Sequence, residues 1–143
     1  MNHQPKIPAA LTVCSLNVNH SNAATQAAMH NISERDKPAI DILLIQEPWW
    51  HKVNETFIPV TFKGWQTVLP KQPIAEGERP RTMAYFRQEA NIELTLRNNL
   101  ASDLDYMILD VKRNGPMQQT VRLINIYNQK SLDPNMRKEY TAE

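Results

Sequence analysis

Two polar residues, Asn17 and Glu47, stand at the ends of apolar runs, LTVCSLNV and IDILLIQ, in a chain of 143 residues. A carboxylate held at a strand end beside a carboxamide suits magnesium. That ion takes hard oxygen ligands, needs only one or two carboxylates, and keeps water and phosphate oxygens in the rest of its shell. The plainer alternative is that Asn17 hydrogen-bonds a loop and Glu47 is a surface charge. Trp49 and Trp50 offer either a stacking platform for a nucleobase or packing against a sheet edge. Arg79 and Arg81, in the segment GERPR, offer either phosphate contacts or a solvated basic loop.

The elements that must position these residues follow from pattern. Leu11 to Val18 is rich in β-branched and apolar residues and predicts a strand. Ala23, Ala24, Ala27, Ala28 and Ile32 recur at helical spacing, so His20 to Asp36 predicts a helix with an alanine stripe, capped by Ser21 or Asn19 and ended by Pro38. Ile40 to Gln46 is a nearly unbroken apolar run, as in a strand covered on both faces. Strand, helix, strand is a βαβ unit with parallel strands and a right-handed crossover. Its strands end at one edge, which brings Asn17 and Glu47 to the rim where α/β sheets place ligands. Residues 48–80, with five prolines, read as irregular apart from a short strand, Trp65 to Leu69. Further strands are expected at Arg81 to Arg87, Ile92 to Leu96, Asp105 to Lys112 and Val121 to Tyr127. The last two form a hairpin about the Asn114-Gly115-Pro116 turn signal. Residues 1–9 read as a loose tail. The polar segment 131–143 holds a helix-start signal at Asp133-Pro134.

Composition bounds the function. Lys plus Arg is 16 and Asp plus Glu is 15, a net charge of +1, so bulk charge does not mark a nucleic-acid binder and any such role must rest on a site. Hydrophobic residues at 41% and charged residues at 22% fit one ordinary globular domain and exclude collagen, coiled coil and disulfide mini-proteins. Cys14 is the only cysteine, so no internal disulfide can form. No run approaches the roughly 20 apolar residues of a membrane span, and no signal-peptide pattern opens the chain. An intracellular protein, nuclear or cytoplasmic, not secreted and without membrane contact, is expected. The sequons at Asn19, Asn31 and Asn54 are then not expected to carry glycans.

Over residues 10–130 the sequence resembles the endonuclease/exonuclease/phosphatase superfamily, the DNase I-like and AP-endonuclease-like fold. Within it, the chain looks most like the N-terminal endonuclease domain of fungal non-LTR retrotransposons, which accompanies a reverse transcriptase. The stretches that carry the resemblance are LTVCSLNVNHSNAATQAAM, DILLIQEPWW, RTMAYF, DLDYMILDV and RLINIYNQ. It implies an α/β fold, the N-terminal half of a DNase I-like sandwich with a mixed sheet, and an ancestral magnesium-dependent (or manganese-dependent) hydrolysis of DNA phosphodiesters. Asn17 matches the asparagine beside metal and scissile phosphate. Glu47 matches the metal-ligating glutamate, and Tyr127 the tyrosine that contacts the phosphate. Asn19, Asn128 and Arg81 are further candidates for substrate contact. DNA is the partner that the resemblance implies.

The resemblance also marks gaps. The superfamily draws its general base from a Gly-Asp-x-Asn motif and completes its site with a late Ser-Asp-His motif, and neither occurs here. Asp133-Pro134-Asn135 has the Asp-x-Asn spacing, but Leu132 replaces the glycine. The four histidines, His3, His20, His30 and His51, all lie early. A truncated domain is therefore expected, with weak magnesium binding and little activity, because losing a general base alone costs about 10²–10⁴-fold. Two alternatives stand beside it: a non-catalytic relic or interaction fragment, and a shortened phosphatase-type member of the superfamily. A single sheet with one face bare is expected, leading to self-association or docking of a missing C-terminal half through that face.

Overall fold

The computed structural model describes residues 11–34, 40–71, 73–98, 103–114 and 119–128, which form a mixed α/β arrangement of several small sheets and one α-helix. The expected βαβ start is present. Strand β1 (Val13–Asn17) and β2 (Ile42–Gln46) are parallel, in a register from Val13 opposite Ile42 to Asn17 opposite Gln46, with helix α1 (Asn22–Glu34) between them. Ser21 is the cap: its Oγ accepts the Ala24 N–H at 3.0 Å. Asn19 does not cap the helix; its N–H donates to the Asn17 side chain at 2.8 Å. The buried stripe of α1 is not the alanine row. Thr25 and Met29 are buried, whereas Ala23, Ala24 and Ala27 are exposed.

Five strands follow the expected positions closely: β5 (Trp65–Val68), β6 (Thr82–Arg87), β7 (Ile92–Leu96), β8 (Tyr106–Arg113) and β9 (Thr120–Ile126). The region read as irregular adds a hairpin of β3 (Trp50–Val53) and β4 (Thr56–Pro59). It turns at Asn54 and Glu55, both with positive φ (48° and 66°). Such a turn normally announces itself with glycine, which Asn54-Glu55 lacks. The N-terminal tail, Pro38, the Gly115-Pro116 turn signal and the segment from Gln129 onward lie outside the described residues.

Strands β1-β2-β6-β5 make one sheet, parallel at β1–β2 and antiparallel elsewhere, and β7-β8-β9 make an antiparallel second sheet. Period-two alternation sends Leu43, Ile45, Met83 and Tyr85 to one face of the first sheet. There Met29 and Ile32 of α1 and Trp50, Phe57 and Phe62 of the β3–β5 region cover them. Ile42, Leu44 and Ala84 point the other way, onto Met107, Leu109 and Val111 of β8. The expectation of one sheet with a bare apolar face is therefore corrected. The strands at 106–113 and 120–126 are the layer that covers it, because their own inward residues are as apolar as those they meet. Of the exposed apolar residues, Tyr106, Ile124 and Ile126 occupy the outer face of the second sheet, Val121 lies near the start of β9, and Val53 and Ile58 lie on the β3–β4 hairpin. Among the described residues no helix is long and apolar enough to cross a membrane.

One polar residue sits between the layers. Asn125 of β9, 1% exposed, donates through Nδ2 to the carbonyls of Ile45 (3.0 Å) and Met83 (2.9 Å), and its Oδ1 accepts Gln46 Nε2–H at 2.7 Å. A buried group left without its partner costs about 1–3 kcal/mol. Asn125→Ala removes the side-chain donor from two buried carbonyls and one acceptor from the Gln46 amide, which keeps Ser15 Oγ at 3.0 Å, so it should lower the unfolding free energy by about 2 kcal/mol. Urea denaturation checks this; a loss below about 0.5 kcal/mol would mean that the clamp does not join the sheets in solution.

Candidate functional site

Glu47 begins the site because its backbone is fixed before its side chain is considered. It follows β2 in the left-handed region, φ 51°, which a residue with a Cβ enters at a cost of roughly 1–2 kcal/mol. Both its main-chain groups are held: its N–H donates to the Arg81 carbonyl (2.9 Å), and its carbonyl accepts the His20 N–H (2.8 Å). Asn19 and His20 share the left-handed conformation, φ 52° and 55°. Three such residues in two segments at one rim is the kind of clustered backbone strain that accompanies functional sites.

Tyr127 reaches this carboxylate from the other sheet. Its N–H donates to the Asp105 carbonyl at 2.7 Å, which fixes the residue just past β9. Its phenol faces Glu47. Interaction with that carboxylate, then burial, holds the phenol above its ordinary pKa, with Arg81 opposing in part. Asn17, exposed, ends β1 opposite Gln46, one strand from Glu47 at the same rim. The structure thus brings Glu47 and Tyr127 to the same rim, close enough for the carboxylate to act on the phenol, with Asn17 ending the adjacent strand.

The other candidates divide. Arg81 is paired with Asp105 through Nε, and this partner raises its pKa further; its guanidinium is engaged within the protein. Asn19 and Asn128 are exposed. The two tryptophans separate as well. Trp50 is 7% exposed and donates its indole N–H to the Pro80 carbonyl at 3.0 Å, whereas Trp49 stays half-exposed, edge-on to His51 with ring centroids 4.3 Å apart.

His20 is the residue that sequence reasoning set aside as a helix-start surface group. Its Nδ1 lies 3.4 Å from the Pro48 carbonyl, which can only accept, and its Nε2 lies 3.9 Å from Glu47 Oε2. The signal was its place three residues after the end of β1, on the loop that must pass the end of β2. Asn125 was missed too, since an asparagine inside INIYN carries no mark distinguishing a buried clamp from an edge residue.

Metal chemistry at this rim would rest on few donors. Glu47 supplies one carboxylate, and the Asn17 Oδ1 already accepts the Asn19 N–H. Among the described residues no group of three or more His, Cys, Asp or Glu side chains converges as a metal site. The donor set fits a hard divalent ion held mainly by water, with Glu47 as its anchor.

The raised Tyr127 pKa gives a direct test. The neutral phenol is favoured in the folded state, so its stabilisation is complete below the ordinary tyrosine value of about 10 and is lost as pH rises through the higher folded value. Glu47→Gln removes the charge and should shift the Tyr127 titration downward, toward that of a free tyrosine, in a carbon-13 NMR titration of labelled tyrosines. An unchanged Tyr127 midpoint would mean that the two side chains do not meet. Comparisons of the chain with protein-family models, with curated proteins and with solved structures found no match.

Proposed function

We propose that the rim of Asn17, Glu47 and Tyr127 is the metal- and phosphate-facing part of a DNase I-like phosphodiesterase site, related to the DNA-nicking endonuclease domain of non-LTR retrotransposons. The proximity of Glu47 and Tyr127 at one rim carries the reading. Strand ends from two different sheets put a carboxylate and a phenol together, and these are the two residues to which the sequence resemblance gives metal and phosphate roles. The packing of a mixed sheet against a second, antiparallel sheet is consistent with the proposed fold.

Magnesium or manganese on Glu47 would neutralise charge gathering on a phosphate. The rest is the work of the chain's own side chains. The Tyr127 O–H, on the Glu47 side of the rim, can donate to a phosphate oxygen, where a charge-assisted bond strengthens as negative charge builds. The Asn17 carboxamide keeps its N–H donors for orienting a phosphate oxygen or water, since its Oδ1 is the atom engaged by Asn19. Arg81 would contribute only by leaving Asp105. Turnover is slow in this reading, because the aspartate and histidine that the superfamily uses as base have no counterpart motif in the sequence.

Weak, Glu47-dependent nicking of supercoiled plasmid is the expected outcome with the purified chain in magnesium or manganese. Wild type and Glu47→Ala indistinguishable on agarose gels, in both ions, would sink the proposal. A second reading, an interaction fragment that pairs with a copy of itself, draws on a different observation. Ile124 and Ile126 are 52% and 60% exposed on β9, the edge strand of its sheet. It expects a concentration-dependent dimer in sedimentation velocity, dispersed by Ile124→Lys; a monomer at all concentrations rejects it.

A further inference from the structure

A cavity of about 200 Å³ opens beside the rim, lined by His20, Pro48, Trp49, Trp50 and Arg79. We propose that it binds one unpaired nucleotide next to the phosphate held at Glu47, with the base against Trp49 and an adjacent phosphate on Arg79. The inference rests on the phosphodiesterase reading of that rim and extends it to a substrate class: single-stranded or locally opened DNA.

The walls select this ligand. Pockets for drug-sized molecules start near about 300 Å³, so this one admits a single ring system and little more. Its floor is rigid, since Trp50 is buried and tethered to the Pro80 carbonyl at 3.0 Å and Pro48 is buried. Trp49 is half-exposed and braced edge-on by His51 at 4.3 Å, so an indole is held at the mouth without losing its contact with solvent. Arg79 is exposed, with its guanidinium 5.6 Å from the centre of the Phe57 ring. It makes no ion pair among the described residues. No carboxylate lines the cavity, so an aromatic wall and an arginine face an opening free of opposing charge. That combination suits a group with a π-face and an anionic tail.

His20 connects cavity and rim. It lines the cavity, and its Nε2 lies 3.9 Å from Glu47 Oε2. With Nδ1 directed at the Pro48 carbonyl, the ring is oriented edge-on between the two places. A nucleotide in the cavity therefore has its neighbouring phosphate at Glu47. A base in a stacked duplex cannot enter so small a space, because it must first leave the helix.

Fluorescence anisotropy can test this with fluorescein-labelled oligothymidylate of about eight nucleotides and an abasic oligomer of equal length, in metal-free buffer. Stacking of one base is worth about 1–3 kcal/mol, or roughly five- to 150-fold in affinity. The wild type should prefer oligothymidylate by at least about fivefold, and Trp49→Ala should erase the preference. Arg79→Gln should flatten the slope of log affinity against log salt by about 0.7, one single-strand phosphate contact. Independently of any variant, the indole N–H resonance of Trp49 should move on titration with oligothymidylate while that of buried Trp65 stays. Equal affinity for the two oligomers, or an unmoved Trp49 resonance, overturns the subsite even if plasmid nicking is found. Base-dependent binding that Trp49→Ala abolishes upholds the subsite even where nicking fails, and the catalytic reading then falls alone.

Discussion

Everything at the rim depends on a carboxamide buried between two sheets. Asn125 takes its hydrogen bonds from β2 and β6 while belonging to β9, so it fixes how far the second sheet slides over the first. Gln46, its partner, directly precedes Glu47, and Tyr127 comes two residues after Asn125. Setting one pair in register therefore sets the other. Hydrophobic contact between Met107, Leu109 and the residues beneath them supplies the adhesion, but apolar contact is non-directional. Directional bonds in a low-dielectric layer, where a missed partner is expensive, convert adhesion into alignment.

The opposite end of the sandwich is secured by charge. Asp41, 8% exposed, accepts the Thr12 N–H and pairs with Arg113 of β8, each at 2.9 Å, while Arg113 also reaches the Ala90 carbonyl. This pair spans the same two sheets as Asn125, at the N-terminal end of β2. The two charges partner each other and backbone groups, although Arg113 Nε is buried without a hydrogen-bond partner among the described residues. The near rim differs. Glu47 has a phenol and an imidazole for company and no arginine pair of its own, because Arg81 is taken by Asp105. One end spends its charges on cohesion; the other leaves a carboxylate available.

The sequence made the scaffold largely legible. Apolar period and length marked β1, β2 and β6 to β9, because each obeys a local pattern that packing then reinforces. The hairpin at Trp50 to Pro59 escaped notice since its turn uses Asn54 and Glu55 in place of glycine. The buried stripe of α1 was misjudged because alanine counts as apolar in any periodicity, whereas the sheet selects Met29 and Thr25. The existence of a second sheet was obscured for a related reason: strands β8 and β9 looked like extensions of the first sheet, and only inter-sheet burial distinguishes a neighbour from a lid. At the site, Glu47 and Asn17 were legible as strand ends. His20, Asn125 and the division of labour between Trp49 and Trp50 were not, since each depends on partners distant in sequence.

The rim also joins segments that lie far apart in the chain. The bonds of Asn125 to Gln46 and Ile45 close gaps of 79 and 80 residues. Pairings of such separation demand loop-closure entropy before they return any energy, and chains rich in them fold slowly. The β1–α1–β2 unit needs only local closure and can form first, with β6 laid against it. Within that unit Glu47 lies at its strand end, whereas the phenol and the clamp come from the distant β9 segment. The relation of Glu47 to Tyr127 at this rim thus depends on the second sheet being docked on the first.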